Sequence, residues 1–290
     1  MSRPPELIPY DRTVHADVAL DLWTSAGTDW VLTPGSLRGW TDGVVAVTED
    51  GLPIGFLAFS SAGAIEIVVV ASEYARSGVG SALLSSATRQ LADVGVTSLS
   101  TGDGAHAIWP GVPDDLRGAT RLFDRAGWRI DHHTDDLTQD LASYVTPEDV
   151  FDGSRAAGLT IAVEPAGDAL LDFERVEFPS WFPYYAATID DSLVARDRAG
   201  AVVGAALLGG PGVASPFTPM LGERAATIGC VGVAAAQHGH GIGTALVARG
   251  SEILRDRGAR VCHISWTTRA SFYESIGYVR WRSYRMYRRP

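Results

Sequence analysis

Lysine is absent from this 290-residue chain, whose 24 basic residues are all arginine. A Walker-A phosphate loop and a Schiff-base or pyridoxal enzyme each require a lysine, so its absence excludes these classes. Cysteine is also scarce, and the spacing of Cys230 and Cys262 fits neither a CxxC pair nor a disulfide framework. The seven histidines form no HExxH motif, and we therefore expect no metal site.

Long apolar runs are missing as well. The longest covers residues 201–210, about half of the ~20 residues that cross a bilayer, and residues 1–10 contain no apolar signal region. With 46% hydrophobic and 20% charged residues, the composition is typical of a globular protein with two domains or one large one. We expect a cytoplasmic protein without a membrane partner, either a monomer or a homodimer.

Acidic residues exceed basic ones, and the excess is unevenly distributed along the chain. The net charge is −10; residues 1–145 contain 9 Arg against 19 Asp and Glu, whereas residues 146–290 contain 15 of each kind. An acidic surface repels phosphate backbones, so we expect no nucleic-acid partner. A polyanionic cofactor is expected to bind the second half more easily than the first.

The same ordered set of signals occurs twice in the chain. Each half contains a hairpin, an apolar strand, a glycine turn, an amphipathic helix, a short strand and a final helix. The first copy covers residues 44–60, 64–70, 76–80, 81–95, 96–100 and 119–128, and the second covers 191–209, 226–233, 238–243, 244–258, 259–266 and 269–278. Alternating strands and helices predict an α/β layered fold. We predict an N-terminal domain over 1–145, a linker over 146–158 and a C-terminal domain over 159–290.

In both halves the apolar strand enters a Gly-x-Gly turn, at Gly78–Gly80 and Gly241–Gly243, and a helix follows. Glycine permits a tight turn, so the backbone N–H groups and the dipole of the new helix can face phosphate oxygens. A Rossmann fingerprint needs a further glycine three residues later, where this chain has Leu83 and Leu246. The turns therefore indicate a phosphate-containing ligand and do not favour a dinucleotide.

These motifs resemble those of the GNAT superfamily of acyl-CoA N-acyltransferases. The family pattern is a strand ending in Val, a Gln or Arg five residues later, and then x-x-Gly-x-Gly/Ala opening a helix. The corresponding residues are Val233, His238 and Gly241–Gly243 in the second half, and Val70, Ala75 and Gly78–Gly80 in the first. A later family motif, an aromatic pair followed by x-x-x-Gly-aromatic, matches Phe272–Tyr278 and, more loosely, Leu122–Trp128. Both halves depart from the family at the Gln/Arg position.

The resemblance implies two tandem GNAT-like domains, each a mixed, mostly antiparallel central sheet flanked by helices, with one pair of parallel strands splayed apart. It also implies acetyl transfer from acetyl-CoA to the amine of a small molecule by direct attack. The implied coenzyme A contacts lie at strand ends and glycine turns: Val231, Val233, His238, Gly239, His240, Gly241, Ile242, Gly243 and Thr244 in the second half, and Val68, Val70, Arg76, Ser77, Gly78, Val79, Gly80 and Ser81 in the first.

The resemblance also assigns catalytic roles. A family tyrosine protonates the departing thiolate; Tyr273 holds this position in the second half, whereas Phe123 in the first cannot donate a proton. We therefore expect the second half to be catalytic and the first to be degenerate. The glutamate that serves as general base in the family corresponds to Glu66 in the first half, whereas the second half has Gly229 at this position. The candidate bases of the second half are His263, Glu174, Glu177 or a water chain to one of them.

Acceptor recognition in this family points to the segment before the second hairpin, which contains Trp181, Phe182, Tyr184 and Tyr185. These aromatics can stack on a planar or cationic acceptor, or they can form a seam with the other domain. Two other functions stay open. One is an aminoacyl-tRNA-dependent transferase of the Fem-like type, which the acidic first half disfavours. The other is a non-catalytic coenzyme A-binding protein, which Gly229 favours.

Overall fold

The chain folds into two units in a computed structural model that describes residues 5–26, 30–33, 40–102, 109–188, 192–212 and 217–290. Unit 1 consists of Met1–Thr134 together with Arg282–Pro290, and unit 2 of Asp135–Trp281. Each unit has a mixed sheet flanked by helices, as predicted. Within the described ranges, no helix is long and apolar enough to span a membrane.

Unit 1 contains most of the first sequence repeat. Its elements are β1 (Glu6–Pro9), α1 (Arg12–Ser25), β2 (Asp42–Val47), β3 (Pro53–Phe59), β4 (Ala64–Val70), α2 (Val79–Asp93), β5 (Leu99–Thr101), β6 (Val112–Pro113), α3 (Arg117–Arg125) and the start of β7 (Arg129–Asp140). The sheet runs β1-β2-β3-β4-β5, antiparallel except for the parallel pair β4–β5. Helix α2 buries Leu83, Leu84 and Leu91 in the core of this unit.

Unit 2 repeats this plan. Its elements are α4 (Asp152–Ala156), β8 (Thr160–Glu164), α5 (Asp168–Glu177), α6 (Phe182–Ala187), β9 (Ser192–Arg196), β10 (Val202–Gly209), α7 (Thr218–Leu221), β11 (Ala225–Val233), α8 (Ile242–Asp256), β12 (Val261–Thr267), α9 (Ala270–Glu274) and the start of β13 (Val279–Arg289). The sheet runs β8-β9-β10-β11-β12, with β11–β12 as its parallel pair. Helix α8 buries Leu246, Val247 and Leu254.

The last strand of each sheet comes from the far end of the other repeat. In unit 1, β13 pairs with β5 and β6, for example at Arg288 and Ser100. In unit 2, residues 135–140 of β7 pair with β12. Residues 135–145 thus belong to unit 2 and residues 282–290 to unit 1, whereas we predicted contiguous domains. Strand pairing acts between residues distant in the chain, which periodicity does not reveal.

This exchange overturns the expectation about charge. Unit 1 has 13 Arg against 16 Asp and Glu, and unit 2 has 11 against 18, so their net charges are −3 and −7. Four arginines of β13 belong to unit 1 and three aspartates of β7 to unit 2. Net charge therefore does not favour a polyanionic cofactor in unit 2.

The segment predicted as a linker, 146–158, packs within unit 2. Val150 is 7% exposed and belongs to its hydrophobic core. Gly153 lies against the second glycine turn, because a Cβ built on it would be 2.5 Å from the carbonyl oxygen of His240. This segment therefore packs closely against the backbone of the second glycine turn.

Candidate active site

The parallel strands β11 and β12 separate within unit 2. Thr227 and His263 form their last pair, and β11 then continues to Val233. The N–H of Ala234 donates to a carbonyl of β10 at 2.9 Å. Backbone N–H groups alternate between the two edges of an antiparallel strand, so those of Val231 and Val233 point away from β10. They face the gap that β12 has left.

Strands β4 and β5 of unit 1 separate in the same way. Ile65 and Thr101 form the last pair, and β4 continues to Val70. Because the N–H of Ala71 donates to β3 at 2.9 Å, the N–H groups of Val68 and Val70 point to the opposite side. The predicted splay is therefore present in both units.

The two glycine turns have nearly the same backbone conformation. Gly78 and Gly241 precede α2 and α8 with φ of 95° and 70°, and neither helix has a side-chain cap. Two residues earlier, Arg76 and Gly239 also have positive φ, 63° and 85°. Among the residues that the structure describes, a Cβ on Gly78 would meet no atom within 4 Å, and one on Gly241 would meet only the Cα of Gly153, at 3.9 Å. Both turns thus present uncapped N–H groups to open space, which fits the pyrophosphate of coenzyme A.

Side chains brace the second turn without filling it. The Nε2 atom of His238 lies 3.0 Å from the carbonyl oxygen of Val233, and Nδ1 of His240 lies 3.1 Å from that of Gln237. The side chain of Ile242 is buried, so this residue offers its backbone alone. The remaining predicted coenzyme A contacts lie in the same turns and first helical turns: Gly243 and Thr244 in unit 2, and Ser77, Val79, Gly80 and Ser81 in unit 1.

Tyr273 lies on α9 with 9% of its surface exposed. Its ring packs edge to face against those of Phe272 and Tyr278, with centroids 4.8 and 6.2 Å away. Burial is the main cause that raises the pKa of Tyr273 to about 12; the thiol group of Cys230 adds to the effect, and Arg269 opposes it. The phenol therefore keeps its proton at neutral pH and can donate it.

Glu174 lies on α5 and is fully buried. Neither carboxylate oxygen has a hydrogen-bond partner among the described residues. The hydroxyl of Tyr185 donates its proton to the carbonyl of Cys230 at 2.9 Å and so cannot donate to this carboxylate. Burial raises the pKa of Glu174 to about 7. The carboxyl group is near half ionised at neutral pH, which suits a general base.

Cys230 interacts electrostatically with both Glu174 and Tyr273 and lies in a β-bulge of β11. The pairs that β10 makes with Gly229 and Gly232 leave Cys230 and Val231 opposite a single residue. Cys230 has φ of 48°, a left-handed conformation that costs about 1–3 kcal/mol outside glycine. Its pKa is raised to about 12 by burial and by the charge of Glu174. The bulge thus places the end of β11 within electrostatic reach of both Glu174 and Tyr273.

In unit 1 the β-bulge lies at a different position of the repeat than in unit 2. There the pairs of Ile65 and Ile67 with β3 leave Glu66 as the extra residue of β4, and its side chain is buried. The corresponding Gly229 of unit 2 is exposed, and a Cβ built there would meet no atom of the described residues within 4 Å. The position of the family's glutamate is therefore open space in unit 2.

His263 lies in an enclosed pair. Its Nε2 atom is 3.3 Å from Oδ2 of Asp136, and the two side chains are 2% and 0% exposed. The imidazole packs against Phe217 and Trp281, with centroids 4.5 and 5.6 Å away. The other oxygen of Asp136 accepts a hydrogen bond from the N–H of Trp266 at 3.0 Å. These contacts connect β12 to β7 and bury the imidazole away from solvent.

The four aromatics predicted to bind the acceptor have different surroundings. Tyr185 is fully buried, so its ring has no exposed face on which an acceptor could stack. Trp181 stacks on Phe178 with centroids 5.0 Å apart, and an arginine of α5 lies 4.6 Å above the ring of Phe182. Tyr184 is 63% exposed. The accessible aromatic surface of this segment is therefore mainly that of Tyr184.

The sequence analysis missed three residues that shape the candidate site. Asp136 pairs with His263 across strands, Cys230 forms the bulge, and Gly153 supports the turn. The positive φ and the close approaches involved have no signature in the order of residues. Over the described part of the chain, no three His, Cys, Asp or Glu side chains cluster as a metal site would require.

Comparisons with known proteins agree with this geometry. Residues 15–128 match the model of the acetyltransferase (GNAT) family, and residues 189–280 match that of the acetyltransferase (GNAT) domain. No curated protein matches the sequence.

Several solved structures are similar over nearly the whole chain. A GCN5-related glucosamine N-acetyltransferase region of a fungal multi-domain GH3 β-N-acetylglucosaminidase has 27% identity and a TM-score of 0.86; the match covers 99% of this chain and 38% of that one. A GCN5-related N-acetyltransferase from Sphaerobacter thermophilus has 16% identity and a TM-score of 0.72, with 99% and 96% covered. A tandem GNAT protein from the clavulanic acid biosynthesis pathway has 17% identity and a TM-score of 0.65, with 98% of each chain covered. The chain belongs to the GNAT acetyltransferases and carries two GNAT domains in tandem.

Proposed function

We propose that unit 2 transfers an acetyl group from acetyl-CoA to the primary amine of a small molecule. The observation that carries this proposal is the buried pair of titratable groups beside the β11 bulge. Glu174 has a pKa near the working pH, whereas Tyr273 stays protonated. Titratable groups whose environments separate their pKa values in this way mark a general base and a general acid.

Backbone groups would hold acetyl-CoA. The uncapped start of α8 at Gly241 would bind the pyrophosphate, with the helix dipole favouring negative charge. The N–H groups of Val231 and Val233 face the gap between β11 and β12, where they would bind the pantetheine and thioester carbonyls. An N–H donor aimed at the thioester oxygen also stabilises the negative charge that develops there during attack.

Side chains would move the protons. Glu174 would accept a proton from the acceptor's ammonium group, directly or through one water, so that the neutral amine can attack the thioester carbonyl, and Tyr273 would protonate the departing thiolate. We assign the base to Glu174 and not to His263, because Asp136 and two aromatic rings enclose the histidine. Glu177 is exposed on the same helix, so solvent surrounds its carboxylate.

An amino sugar is the acceptor that we propose to test first. The fungal relative at 27% identity is described as a glucosamine N-acetyltransferase region. Gly229 leaves the position of the family's glutamate without a side chain, and the exposed ring of Tyr184 offers a face of the kind on which sugars stack.

Release of free thiol from acetyl-CoA tests the proposal. The full-length protein is incubated with glucosamine and a panel of other primary amines, and the product is identified by mass spectrometry. We expect N-acetylated glucosamine and stoichiometric coenzyme A. Binding of acetyl-CoA without thiol release for any amine would support the non-catalytic alternative. Transfer that requires aminoacyl-tRNA in place of acetyl-CoA would support the Fem-like one.

A further inference from the structure

Tyr185 of α6 is fully buried in unit 2. Its side chain packs in one core cluster with Leu170 of α5, Val194 of β9 and Ala205 of β10. A buried tyrosine hydroxyl requires a hydrogen-bond partner, because an unpaired polar group in the core is costly. The partner is the main-chain carbonyl of Cys230, to which the hydroxyl donates at 2.9 Å. This hydrogen bond ties helix α6 to strand β11.

The hydrogen bond reaches β11 at its bulge. Cys230 and Val231 lie opposite a single residue of β10, so the ladder is disrupted there. Cys230 also has φ of 48°, and the strand departs from extended geometry at this residue. The Tyr185 hydroxyl therefore supplies a hydrogen bond to the main chain at the point where the sheet is irregular.

The carbonyl of Cys230 and the N–H of Val231 belong to one peptide group. A peptide group is planar and trans, so its C=O and N–H bonds point in opposite directions. A hydroxyl that holds the carbonyl consequently also sets the direction of the Val231 N–H, which faces the gap between β11 and β12. Hydrogen bonding at the carbonyl polarises the peptide group as well, and this makes its N–H a stronger donor.

The orientation of this peptide group depends on contacts outside the strand. A residue other than glycine persists in the left-handed region only where its surroundings hold it there, and the Tyr185 hydrogen bond is such a contact. Without it, rotation about ψ of Cys230 and φ of Val231 would turn the N–H away from the gap. The carbonyl oxygen would then face the thioester and repel the negative charge that develops during attack.

The corresponding stretch of unit 1 is regular. Ile67 and Val68 hold the positions of Cys230 and Val231 in the repeat, and they pair with consecutive residues of β3. Ile67 does not have a positive φ. The bulge that Tyr185 holds is therefore specific to the unit that carries Tyr273.

We propose that Tyr185 is a positioning residue of the transferase site, whose hydroxyl holds the peptide group between Cys230 and Val231 so that the Val231 N–H points at the acetyl carbonyl of bound acetyl-CoA. This role rests on the function proposed for unit 2, because it requires the thioester to lie in the gap. Tyr185 acts through the main chain and touches no substrate, since it is fully buried.

Isotope-edited infrared difference spectroscopy measures the hydrogen bond on the acetyl carbonyl. The full-length protein is saturated with acetyl-CoA that carries ¹³C at this carbonyl, without any amine, and the spectrum with unlabelled acetyl-CoA is subtracted. We expect a carbonyl stretching band below that of free acetyl-CoA, because a hydrogen bond weakens the C=O bond. In Tyr185→Phe, which keeps the ring and removes the hydroxyl, this band should return towards the free position. A band from acetyl-CoA bound at unit 1 would be the same in both proteins.

Single-turnover acetyl transfer gives the second readout. The rate in Tyr185→Phe should fall by about 10- to 100-fold, less than the loss of about 100- to 1000-fold on deleting an oxyanion donor, because the N–H is misdirected and not removed. Acetyl-CoA affinity should stay nearly unchanged, since the turn at Gly241 is intact. Tyr144→Phe removes the hydroxyl of another buried tyrosine in the core of unit 2 and should leave the band and the rate as in the wild type.

A second variant covers the case in which Tyr185→Phe does not fold. Tyr185→3-fluorotyrosine keeps the hydroxyl and makes it a stronger donor, so the carbonyl band should lie at or below its wild-type position. A band that moves back towards free acetyl-CoA in this variant would contradict the proposed role.

Two other results would overturn the proposal. One is an equal band in the wild type and in a folded Tyr185→Phe variant, which would make Tyr185 a structural residue even if thermal stability falls. The other is a wild-type band at the position of free acetyl-CoA. The infrared comparison needs no amine. A wild type that acetylates no amine would therefore refute the function proposed for unit 2, while the two bands would still decide the role of Tyr185.

Discussion

Replacing Glu174 with Gln distinguishes a catalytic carboxyl group from a structural one. The change keeps the shape of the side chain and removes the proton acceptor, so the chemical step should slow by about 100- to 10,000-fold. It also removes a buried group whose ionised form finds no hydrogen-bond partner among the described residues. We therefore expect activity to fall and stability to rise in the same variant.

The size of the stability change follows from the pKa of Glu174. Burial raises it from 4.5 to about 7, which corresponds to about 3 kcal/mol of free energy that opposes ionisation in the folded protein. Between these two pH values the folded chain keeps the proton and the unfolded chain releases it. The free energy of unfolding of the wild type therefore decreases as the pH rises from 4.5 to about 7, and levels off above. The Glu174→Gln variant lacks this decrease. It should exceed the wild type by up to about 3 kcal/mol above neutral pH, and the difference should vanish in acid.

Two measurements test this pair of effects. Urea denaturation at about pH 5 and about pH 8 gives the free energies of unfolding. Single-turnover acetyl transfer gives the chemical rate, which in the wild type should increase with pH through about 7. Glu177→Gln changes an exposed glutamate of the same helix and should alter neither quantity. Loss of both activity and stability at about pH 8 would identify Glu174 as a structural residue, and full activity in the variant would remove it from the mechanism.

Three other predictions concern Tyr273, the proposed general acid, and the glycine turns. Tyr273→Phe should slow the single-turnover rate by roughly 10- to 1000-fold with little change in acetyl-CoA binding, and an unchanged rate would return Tyr273 to a packing role. Gly241→Val should abolish turnover, because a β-branched residue resists φ of 70° and would occupy the phosphate position. The matched variant Gly78→Val should cost much less activity. Equal losses of activity in the two variants would mean that both units contribute to catalysis. Gly153→Ala places a Cβ 2.5 Å from the carbonyl oxygen of His240, so calorimetry should show acetyl-CoA affinity reduced by about 10-fold, and an unchanged affinity would show that the turn can shift at no cost.

Local signals in the sequence were sufficient for the repeated architecture. The Asp-Gly turn after β2 is present, with Gly51 at φ of 77°. Gly258 follows α8 with φ of 91°, as expected of a helix-terminating glycine. Gly78 and Gly241 adopt the left-handed conformation that opens each glycine turn. Such features depend on the backbone freedom of one residue and its immediate neighbours, so the order of residues predicts them.

The carboxyl group that we propose as the general base, Glu174, was predicted only as one of several candidates. Sequence position made Glu174, Glu177 and His263 equivalent, because none of them matches the family's glutamate. Burial separates them: Glu174 is enclosed without a partner, Glu177 is exposed, and His263 is paired with Asp136. A pKa depends on surrounding dielectric and charges, which come from elements distant in the chain.

The sequence by itself determined the two copies of the fold, the position of both glycine turns and the difference between Tyr273 and Phe123. The tertiary structure alone decided which strands complete each sheet, and with them the net charges of −3 and −7 that replace the −10 and 0 of the two halves. It also decided where each bulge lies, so that Glu66 is buried while Gly229 is exposed. The physical reason is that turns and helices are stabilised between near neighbours, whereas strand partners, bulges and burial result from contacts between residues far apart in the chain.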